Sequence, residues 1–191
     1  SPEERAALYG GDYYESWGLG EGRNHEAVRA IKMQTFRLRL RDLEKRIPPG
    51  RLLDAGCAAG FSLEAAAEAG WEAWGIEFNP HSAAIAARKF PGRVHEGTME
   101  DAPFPPESFD AVTLFDLIEH LPDPVSGLKA AARLMKPGAL LSLTTPDADS
   151  LSARIQGRLW VHLKSREHVY AFNRRSIERL LAAAGLEPIE K

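Results

Sequence analysis

A short apolar segment that ends in an acid and enters a glycine-rich turn constrains the fold more than any other feature of the chain. Residues 52–60 are Leu-Leu-Asp-Ala-Gly-Cys-Ala-Ala-Gly, and an alanine-rich stretch follows at 62–69. Glycine permits backbone angles that other residues rarely adopt and lets a ligand approach the chain closely. The first turn of a helix offers N–H groups without partners inside the helix. The segment is typical of a strand, a tight turn and a helix that hold a ligand; the alternative is a turn that serves the fold alone.

Strand and helix patterns alternate along the rest of the chain. Apolar runs are typical of strands covered on both faces of a sheet. Regular alternation of this kind predicts one α/β domain built on a doubly wound, mostly parallel sheet. The predicted strands are 52–53, 73–78, a weak one from Val94, 109–115 and 139–144, and the predicted helices are 25–47, 62–69, 80–89, 124–135 and 174–184.

Two divisions of the chain are predicted. Residues 1–48 are expected to form an amino-terminal arm and a helical cap, and residues 49–191 the ligand-binding core. Within the core, residues 146–171 form a long excursion beyond the fifth strand. The helix in the cap carries a basic stripe, which is typical of a solvated helix face; the alternative is a surface for phosphate or RNA.

Composition narrows the class of protein. The 191 residues fit one domain, and 44% hydrophobic and 27% charged residues are ordinary for a globular chain. A net charge of -3 gives no overall attraction to nucleic acid or anionic lipid. One cysteine, Cys57, cannot form an internal disulfide, which favours a reducing compartment. We therefore expect a cytoplasmic protein without a membrane span and without a nucleic-acid partner.

A second acid lies at the end of the next predicted strand. Glu77 follows Gly56 by 21 residues, close to the spacing at which an acid on the second strand binds the hydroxyls of a ribose. Two carboxylate oxygens match two vicinal hydroxyls. The alternative is an exposed carboxylate without a ligand, and the pairing with the glycine turn argues against it.

The glycine spacing separates two classes of cofactor. Dinucleotide dehydrogenases favour G-x-G-x-x-G, which packs the turn under a pyrophosphate. Here Gly56 and Gly60 are separated by three residues, and Ala58 stands between them. This spacing favours a ligand without phosphates. An NAD-dependent oxidoreductase remains the alternative.

Residues 50–145 resemble the class I S-adenosylmethionine-dependent methyltransferases, and the resemblance extends more loosely to residue 185. It implies a Rossmann-like sheet, S-adenosyl-L-methionine as cofactor and S-adenosyl-L-homocysteine as product. The matching stretches are the turn at 54–60, the acid Glu77, Phe109-Asp110-Ala111-Val112, the sequence from Phe115 to His120, and the turn from Leu134 to Ala139.

The resemblance implies a role for each part of this cofactor site. The turn would enclose the methionine part, Glu77 would bind the ribose, and Phe78 would lie beside the adenine. Relatives often place an aspartate just after the third strand to bind the adenine, whereas this chain has Thr98 there. The implied cofactor-binding residues are Asp54, Gly56, Cys57, Gly60, Glu77, Phe78, Thr98, Met99, Glu100, Phe115 and Asp116, with Tyr13 and Tyr14 as a lid or as anchors of the arm.

Three histidines are candidate catalytic bases for an acceptor. His120 follows the fourth strand, near the family's reaction centre, and its alternative role is to shape the loop. His162 and His168 lie in the excursion, in a segment that resembles relatives of the polyprenyl-hydroxyphenol O-methyltransferases. The alternative there is a loop anchored by aromatic residues. No metal is expected, because the histidines lack ligand spacing in sequence.

The resemblance predicts methyl transfer to a small-molecule acceptor, with O-methylation favoured over N- or C-methylation. A module that keeps the fold only to bind a ligand is the alternative. The family's full sheet has seven strands, with an antiparallel pair at the last edge, and too few residues follow Ala184 for both. We therefore expect an incomplete edge, a strand supplied by a second chain in a homodimer, or a truncated chain.

Overall fold

Five parallel strands form a single sheet in a computed structural model that describes residues 25–163 and 168–189. The order across the sheet is β3-β2-β1-β4-β5, and each pair of neighbours is parallel. The predicted α/β class and parallel sheet are therefore confirmed. The strands are β1 (Arg51–Ala55), β2 (Glu72–Glu77), β3 (Val94–Glu96), β4 (Phe109–Phe115) and β5 (Met135–Thr144).

The strand order reverses beside β1, with β2 and β3 on one side and β4 and β5 on the other. In open α/β sheets, ligands bind at the carboxyl ends of the strands at such a reversal. The helices that connect and cover the strands are α1 (His25–Glu44), α2 (Phe61–Glu68), α3 (Pro80–Lys89), α4 (Pro124–Leu134), α5 (Leu151–Gln156) and α6 (Arg174–Ala183), with 3-10 turns at Ile118–His120 and Gly157–Leu159.

Side-chain caps mark the start of four of these helices, including α5, where the Ser150 hydroxyl accepts from the Ala153 N–H. Asn79 accepts a hydrogen bond from the Ser82 N–H ahead of α3, and Asp123 accepts from two N–H groups of α4. Asn173 and Ser176 form a reciprocal capping box at α6. A proline occupies the first turn of α3 and of α4, where its missing N–H costs nothing. The observed α3 matches the predicted 80–89.

One element boundary was predicted wrongly. We expected α4 to extend through residue 135 and β5 to begin at residue 139, but β5 begins at Met135, which pairs with Phe109. The register shifts between Phe109 and Ala111, and this irregularity accommodates Pro137 and Gly138 inside the strand.

Two apolar cores cover the two faces of the sheet. Neighbouring strand residues alternate between them, so that Leu52 and Ala111 belong to one core while Leu53 and Val112 belong to the other. This alternation follows from the two-residue period of a strand. One core includes α1 and α2 through Met33, Leu40, Leu43, Phe61 and Leu63, and the other includes α4 and α6 through Leu128, Ala131, Leu134 and Leu181.

The basic stripe of α1 pairs largely with the protein itself. Arg29 and Arg37 form ion pairs with Glu64 and Glu68 of α2. These pairs lie beside the apolar contact between the two helices. We expected the basic stripe to face solvent. Part of it instead forms ion pairs that hold α1 against α2.

The excursion is attached to the core at both ends. The Ala148 N–H donates to the Phe172 carbonyl at 2.8 Å, and Asp147 pairs with Phe172 as an isolated bridge. Trp160 and Phe172 are buried, and Tyr170 stacks on Phe172. The described part of this segment therefore shows the aromatic anchoring that the sequence offered as an alternative, and the acceptor-side roles of His162 and His168 stay predictions.

The outer edge of β5 is open over the described ranges, where no strand pairs with it. None of the helices within residues 25–163 and 168–189 has the length and apolar character needed to cross a bilayer.

The packing of Gly75 against Cys57 gives a test of the sheet. A Cβ at Gly75 would lie 2.6 Å from Cys57 Sγ and 3.0 Å from Leu63 Cδ1. Gly75→Ala should lower the free energy of unfolding by about 1–3 kcal/mol. Cys57→Ala removes the nearest atom and should recover part of that loss in the double variant. Urea unfolding of the four proteins measures the coupling, and strictly additive effects would contradict this packing.

Candidate functional site

The glycine turn connects β1 to α2 through a series of left-handed backbone angles. The φ angles of Gly56, Ala58 and Gly60 are +76°, +47° and +84°. A Cβ at Gly56 would lie 2.9 Å from Leu117 Cδ1, so both space and backbone angle require glycine there. The N–H groups of Gly56 and Cys57 donate to the Ile76 carbonyl, which holds the turn against the end of β2.

Glu77 clasps this turn from the end of β2. Its Oε2 accepts a hydrogen bond from the Ala58 N–H at 2.8 Å, and its Oε1 accepts from the Asn79 N–H at 2.8 Å. Burial raises the pKa of Glu77, and these backbone hydrogen bonds act in the opposite direction. The predicted proximity of Glu77 to the glycine turn is confirmed. Each carboxylate oxygen keeps a second lone pair that a further donor can use.

Asp54 lies one layer deeper, at the junction of three elements. Its carboxylate accepts hydrogen bonds from the hydroxyls of Ser62 in α2 and Thr113 in β4. Burial raises the pKa of Asp54 to about 6. The side chain is 3% exposed, and its two hydroxyl partners make it part of the framework that holds the turn.

Cys57 contributes packing to the turn. Its thiol is buried in the core that contains Phe61 and Leu63, and burial raises its pKa well above the usual value. Its N–H donates to the Ile76 carbonyl, and its carbonyl accepts from the Gly60 N–H. These contacts give Cys57 a structural role in the turn, and the cofactor contact that the resemblance implies stays a prediction.

Asp116 marks the carboxyl end of β4 and has a φ of +54°. Its N–H donates to the Thr144 carbonyl, and the Thr144 hydroxyl donates to its Oδ1 at 2.9 Å. Arg39 of α1 forms an ion pair with its Oδ2 at 2.8 Å. A non-glycine residue with such an angle is uncommon and is often found at functional sites.

Arg39 was missed as a site residue by sequence reasoning. Its guanidinium lies 5.2 Å from the centre of the Phe115 ring and 5.7 Å from that of Phe36. Lys32 lies close enough to Arg39 and Asp116 to interact with both; burial lowers its pKa, and Asp116 raises it. Lys32, Phe36 and Arg39 follow helical spacing on one side of α1. That spacing was the available signal, and it places two cations next to the predicted methionine end.

The loop after β3 would flank a ligand beyond Glu77. Phe78 is 46% exposed, as expected for a ring that lies beside an adenine. The Thr98 N–H donates to Asp101 Oδ1 at 2.7 Å, while Met99 is buried and Glu100 is exposed. Asp101, which sequence reasoning missed, therefore organises the loop that carries the three predicted adenine contacts.

The structure brings together two of the three candidate histidines. The rings of His120 and His168 are 4.7 Å apart between centroids and nearly perpendicular. His162 is exposed, and its ring packs 5.3 Å from that of Trp160. Glu119, buried at 2% exposure, lies within 4.8 Å of His120 and His168 by ligand atoms. Tyr13 and Tyr14 lie outside the described residues.

Comparison with known proteins decides the family. A sequence model described as a methyltransferase domain matches residues 25–191, most of the chain. The chain belongs to the methyltransferase domain family. The candidate site of this methyltransferase domain is the edge formed by the glycine turn, Glu77 and Asp116.

Curated relatives of the methyltransferase domain include ubiquinone biosynthesis O-methyltransferases. The one from Thiobacillus denitrificans is 32% identical over 173 residues, covering 80% of this chain and 72% of the relative. The one from Xanthomonas campestris pv. campestris is 36% identical over 111 residues, covering 52% and 44%. The chain thus spans about half the length of several curated relatives that it matches.

Solved structures show the same fold. A SAM-dependent methyltransferase from Thermotoga maritima, described as a possible histamine N-methyltransferase, has a TM-score of 0.69 at 25% identity, covering 98% of this chain and 81% of that one. Phosphoethanolamine N-methyltransferase 2 from Haemonchus contortus, solved with S-adenosyl-L-methionine, has a TM-score of 0.59 at 25% identity, covering 78% and 36%.

The buried carboxyl of Asp54 gives a test by pH. Its pKa rises from 3.8 to about 6 on folding, so the protonated form is favoured in the native state and stability falls as pH rises between these values. Asp54→Asn keeps the size of the side chain and removes this loss. The free energy of unfolding of the variant minus that of the native chain should rise by about 3 kcal/mol from pH 4 to 7.

Asp110→Asn is the matched control with the opposite sign. The hydrogen bond from Lys136 lowers the pKa of Asp110, so its contribution to stability is complete above its usual pKa and is lost as pH falls below it. The difference between this variant and the native chain should be negative and constant from pH 5 to 8. Chemical unfolding across this range measures both variants, and a flat profile for Asp54→Asn would contradict the burial of its charge.

Proposed function

We propose that the chain transfers a methyl group from S-adenosyl-L-methionine to a hydroxyl of a small molecule, releasing S-adenosyl-L-homocysteine. The observation that carries this proposal is the contact of the Glu77 carboxylate with the glycine turn at the reversal of strand order. At this place a glycine-rich stretch of backbone lies next to a carboxylate whose two oxygens can both accept hydrogen bonds. The family membership and the relatives' names support the same activity.

The residues present fit the parts of this cofactor. Glu77 offers its remaining lone pairs to two ribose hydroxyls, and Phe78 offers an exposed ring for the adenine. Leu117 fills the space beside Gly56, so glycine at this position lets the turn pack closely against the segment after β4. The turn at 54–60 is the part that the resemblance implies for the methionine chain. The charges of Lys32 and Arg39 suit the carboxylate at its end.

The bound cofactor supplies an electrophilic methyl group on a sulfonium sulfur. Transfer of this group to an acceptor oxygen would leave S-adenosyl-L-homocysteine, and the hydroxyl proton would pass to a base of the chain. The chain's part is to align the acceptor oxygen with the methyl carbon and to exclude water, which can supply a large share of the rate. His120, directly after β4 and beside His168, is the group that we propose to activate the acceptor hydroxyl.

The relatives guide the choice of acceptor atom. The curated relatives are named O-methyltransferases, and the Haemonchus contortus enzyme is named an N-methyltransferase. Sequence similarity to the former favours oxygen as the acceptor. The NAD-dependent alternative has no support from these comparisons. The homodimer, the cytoplasmic location and the division at residue 48 stay predictions.

Cofactor affinity tests the role of Glu77. Glu77→Ala removes both acceptor oxygens and should weaken S-adenosyl-L-homocysteine binding by roughly ten- to several-hundred-fold. Isothermal titration calorimetry measures the dissociation constant. Glu72→Ala, at the exposed start of the same strand, is the control and should bind like the native chain. Unchanged affinity for S-adenosyl-L-homocysteine in a folded Glu77→Ala protein would show that Glu77 does not bind the ribose.

Turnover tests the role of His120. His120→Ala should lower kcat by about 100-fold or more, the usual contribution of a general base, while affinity for S-adenosyl-L-homocysteine stays within about threefold. His81→Ala, on the exposed first turn of α3, is the control. The assay detects S-adenosyl-L-homocysteine formed with a panel of phenols, amines and carbon acids. An equal loss of turnover and of cofactor affinity would argue against the proposed role.

Turnover with the native chain also tests whether the domain is an enzyme. Product formed with phenols supports O-methylation, and product formed only with amines would redirect the proposal to nitrogen. Binding of S-adenosyl-L-homocysteine without turnover on the whole panel would favour a ligand-binding module.

A further inference from the structure

Two adjacent side chains that follow β4 and one from the far end of the excursion form a compact ligand set beside the carboxyl end of that strand. Glu119, His120 and His168 each offer one ligand atom, and these atoms lie within 4.8 Å of one another. Glu119 is buried and the two histidines are half-buried. The distance in sequence between His120 and His168 hid this group, and residue spacing alone did not indicate that the two histidines lie close together.

The hydrogen bond of His168 leaves one ring nitrogen directed to other partners. Its Nδ1 lies 2.7 Å from the His162 carbonyl oxygen. A carbonyl only accepts hydrogen bonds, so Nδ1 carries the proton and the neutral ring has its lone pair on Nε2. Histidine ligands of metals commonly donate their other N–H to a backbone carbonyl in this way, which fixes the ring orientation.

The buried carboxylate of Glu119 also indicates a bound cation at this position. Its side chain is 2% exposed, and its Oε2 has no hydrogen bond of good geometry within residues 25–163 and 168–189, although the Thr145 hydroxyl interacts with this carboxyl. A buried carboxylate oxygen without a donor is costly, and such a group calls for an explanation such as a bound ion. The two imidazoles beside it supply the remaining ligands.

Backbone contacts hold the two contributing segments together. The Glu119 carbonyl accepts from the N–H groups of Val169 and Tyr170 at 2.9 and 3.3 Å. The Tyr170 hydroxyl donates to the Pro122 carbonyl at 3.1 Å. These bonds fix His168 opposite the 3-10 turn that carries the other two ligands, so the ligand set is largely preformed.

We propose that Glu119, His120 and His168 bind a divalent first-row transition-metal ion. Around Zn²⁺, with bonds of about 2.0–2.1 Å, tetrahedral ligand atoms stand about 3.3–3.5 Å apart. The three atoms need to draw together by about 1 Å, a shift within the range of side-chain rotation. Two imidazoles with one carboxylate favour ions such as Zn²⁺, Fe²⁺ or Co²⁺ over Mg²⁺, which prefers oxygen ligands.

Three protein ligands leave at least one coordination position open to water or a hydroxyl group. A role of this ion in methyl transfer rests on the proposed function: His120 would hold the ion, and the ion would supply the activation of the acceptor hydroxyl. Metal binding itself can be measured without any turnover.

The experiment titrates the whole chain with Zn²⁺ after treatment with a chelator and its removal. Calorimetry should give one site per chain, and Co²⁺ should give visible absorption bands of a low-coordinate site. His168→Ala removes a partly exposed ligand and should weaken Zn²⁺ binding by at least about 100-fold, beyond the effect of losing an outer-shell partner. Glu119→Gln keeps the side-chain shape, removes the charge and should also weaken binding.

His162→Ala is the matched control. It keeps the carbonyl that orients His168 and removes an imidazole six residues away that lies outside the ligand set. Zn²⁺ affinity should change by no more than about threefold, as for a surface substitution. Equal Zn²⁺ affinity in His168→Ala and the native chain, or a loss as large in His162→Ala, would overturn the site, as would no saturable binding to the native chain.

Titration of the same proteins with S-adenosyl-L-homocysteine separates this proposal from the proposed function. Cofactor binding without saturable Zn²⁺ binding overturns the metal site alone. The chain could instead bind Zn²⁺ at one site that His168→Ala removes and bind no S-adenosyl-L-homocysteine. That result would support the metal site and overturn the proposed function.

Discussion

The contact between the Glu77 carboxylate and the Ala58 N–H connects the features on which the site depends. It joins the end of β2 to the turn that follows β1, and the Ile76 carbonyl reinforces it through two further N–H groups of that turn. The Glu77 carboxylate is nearly buried, so the backbone N–H groups that donate to it must offset the free energy lost when it leaves water. Without them the turn would lose its position over the sheet and the acceptor oxygens would lose their direction.

Much of this arrangement could be predicted because local patterns determine it. Glycine at positions 56 and 60, an acid at the end of each of two neighbouring strands, and alternating strand and helix signals are all features of short segments. A parallel sheet then brings the carboxyl ends of its strands to one edge without further information. The misplaced start of β5 has the same origin, since Pro137 and Gly138 are typical of a turn and only pairing with β4 keeps them in a strand.

The residues that sequence reasoning missed act through contacts between distant segments. Arg39 looked like one charge on a solvated helix until α1 packed on the sheet and brought it to Asp116. His120 and His168 meet because backbone bonds join the loop after β4 to the end of the excursion. Asp101 shapes the loop after β3 by accepting a hydrogen bond from the Thr98 N–H. None of these contacts follows from residue spacing alone.

The excursion at residues 146–171 is anchored in a way that lets its middle part change without loss of stability in the sheet. Both of its stems are fastened, through Ala148 and Phe172 at the base and through Val169 and Tyr170 near the catalytic edge. A chain anchored at its two ends can change in length or composition between them at small entropic cost. The five strands and the cofactor turn would be unaffected by such changes. If the proposed function holds and the excursion contacts the acceptor, changes in this one surface loop would alter the choice of acceptor while the cofactor turn stays the same.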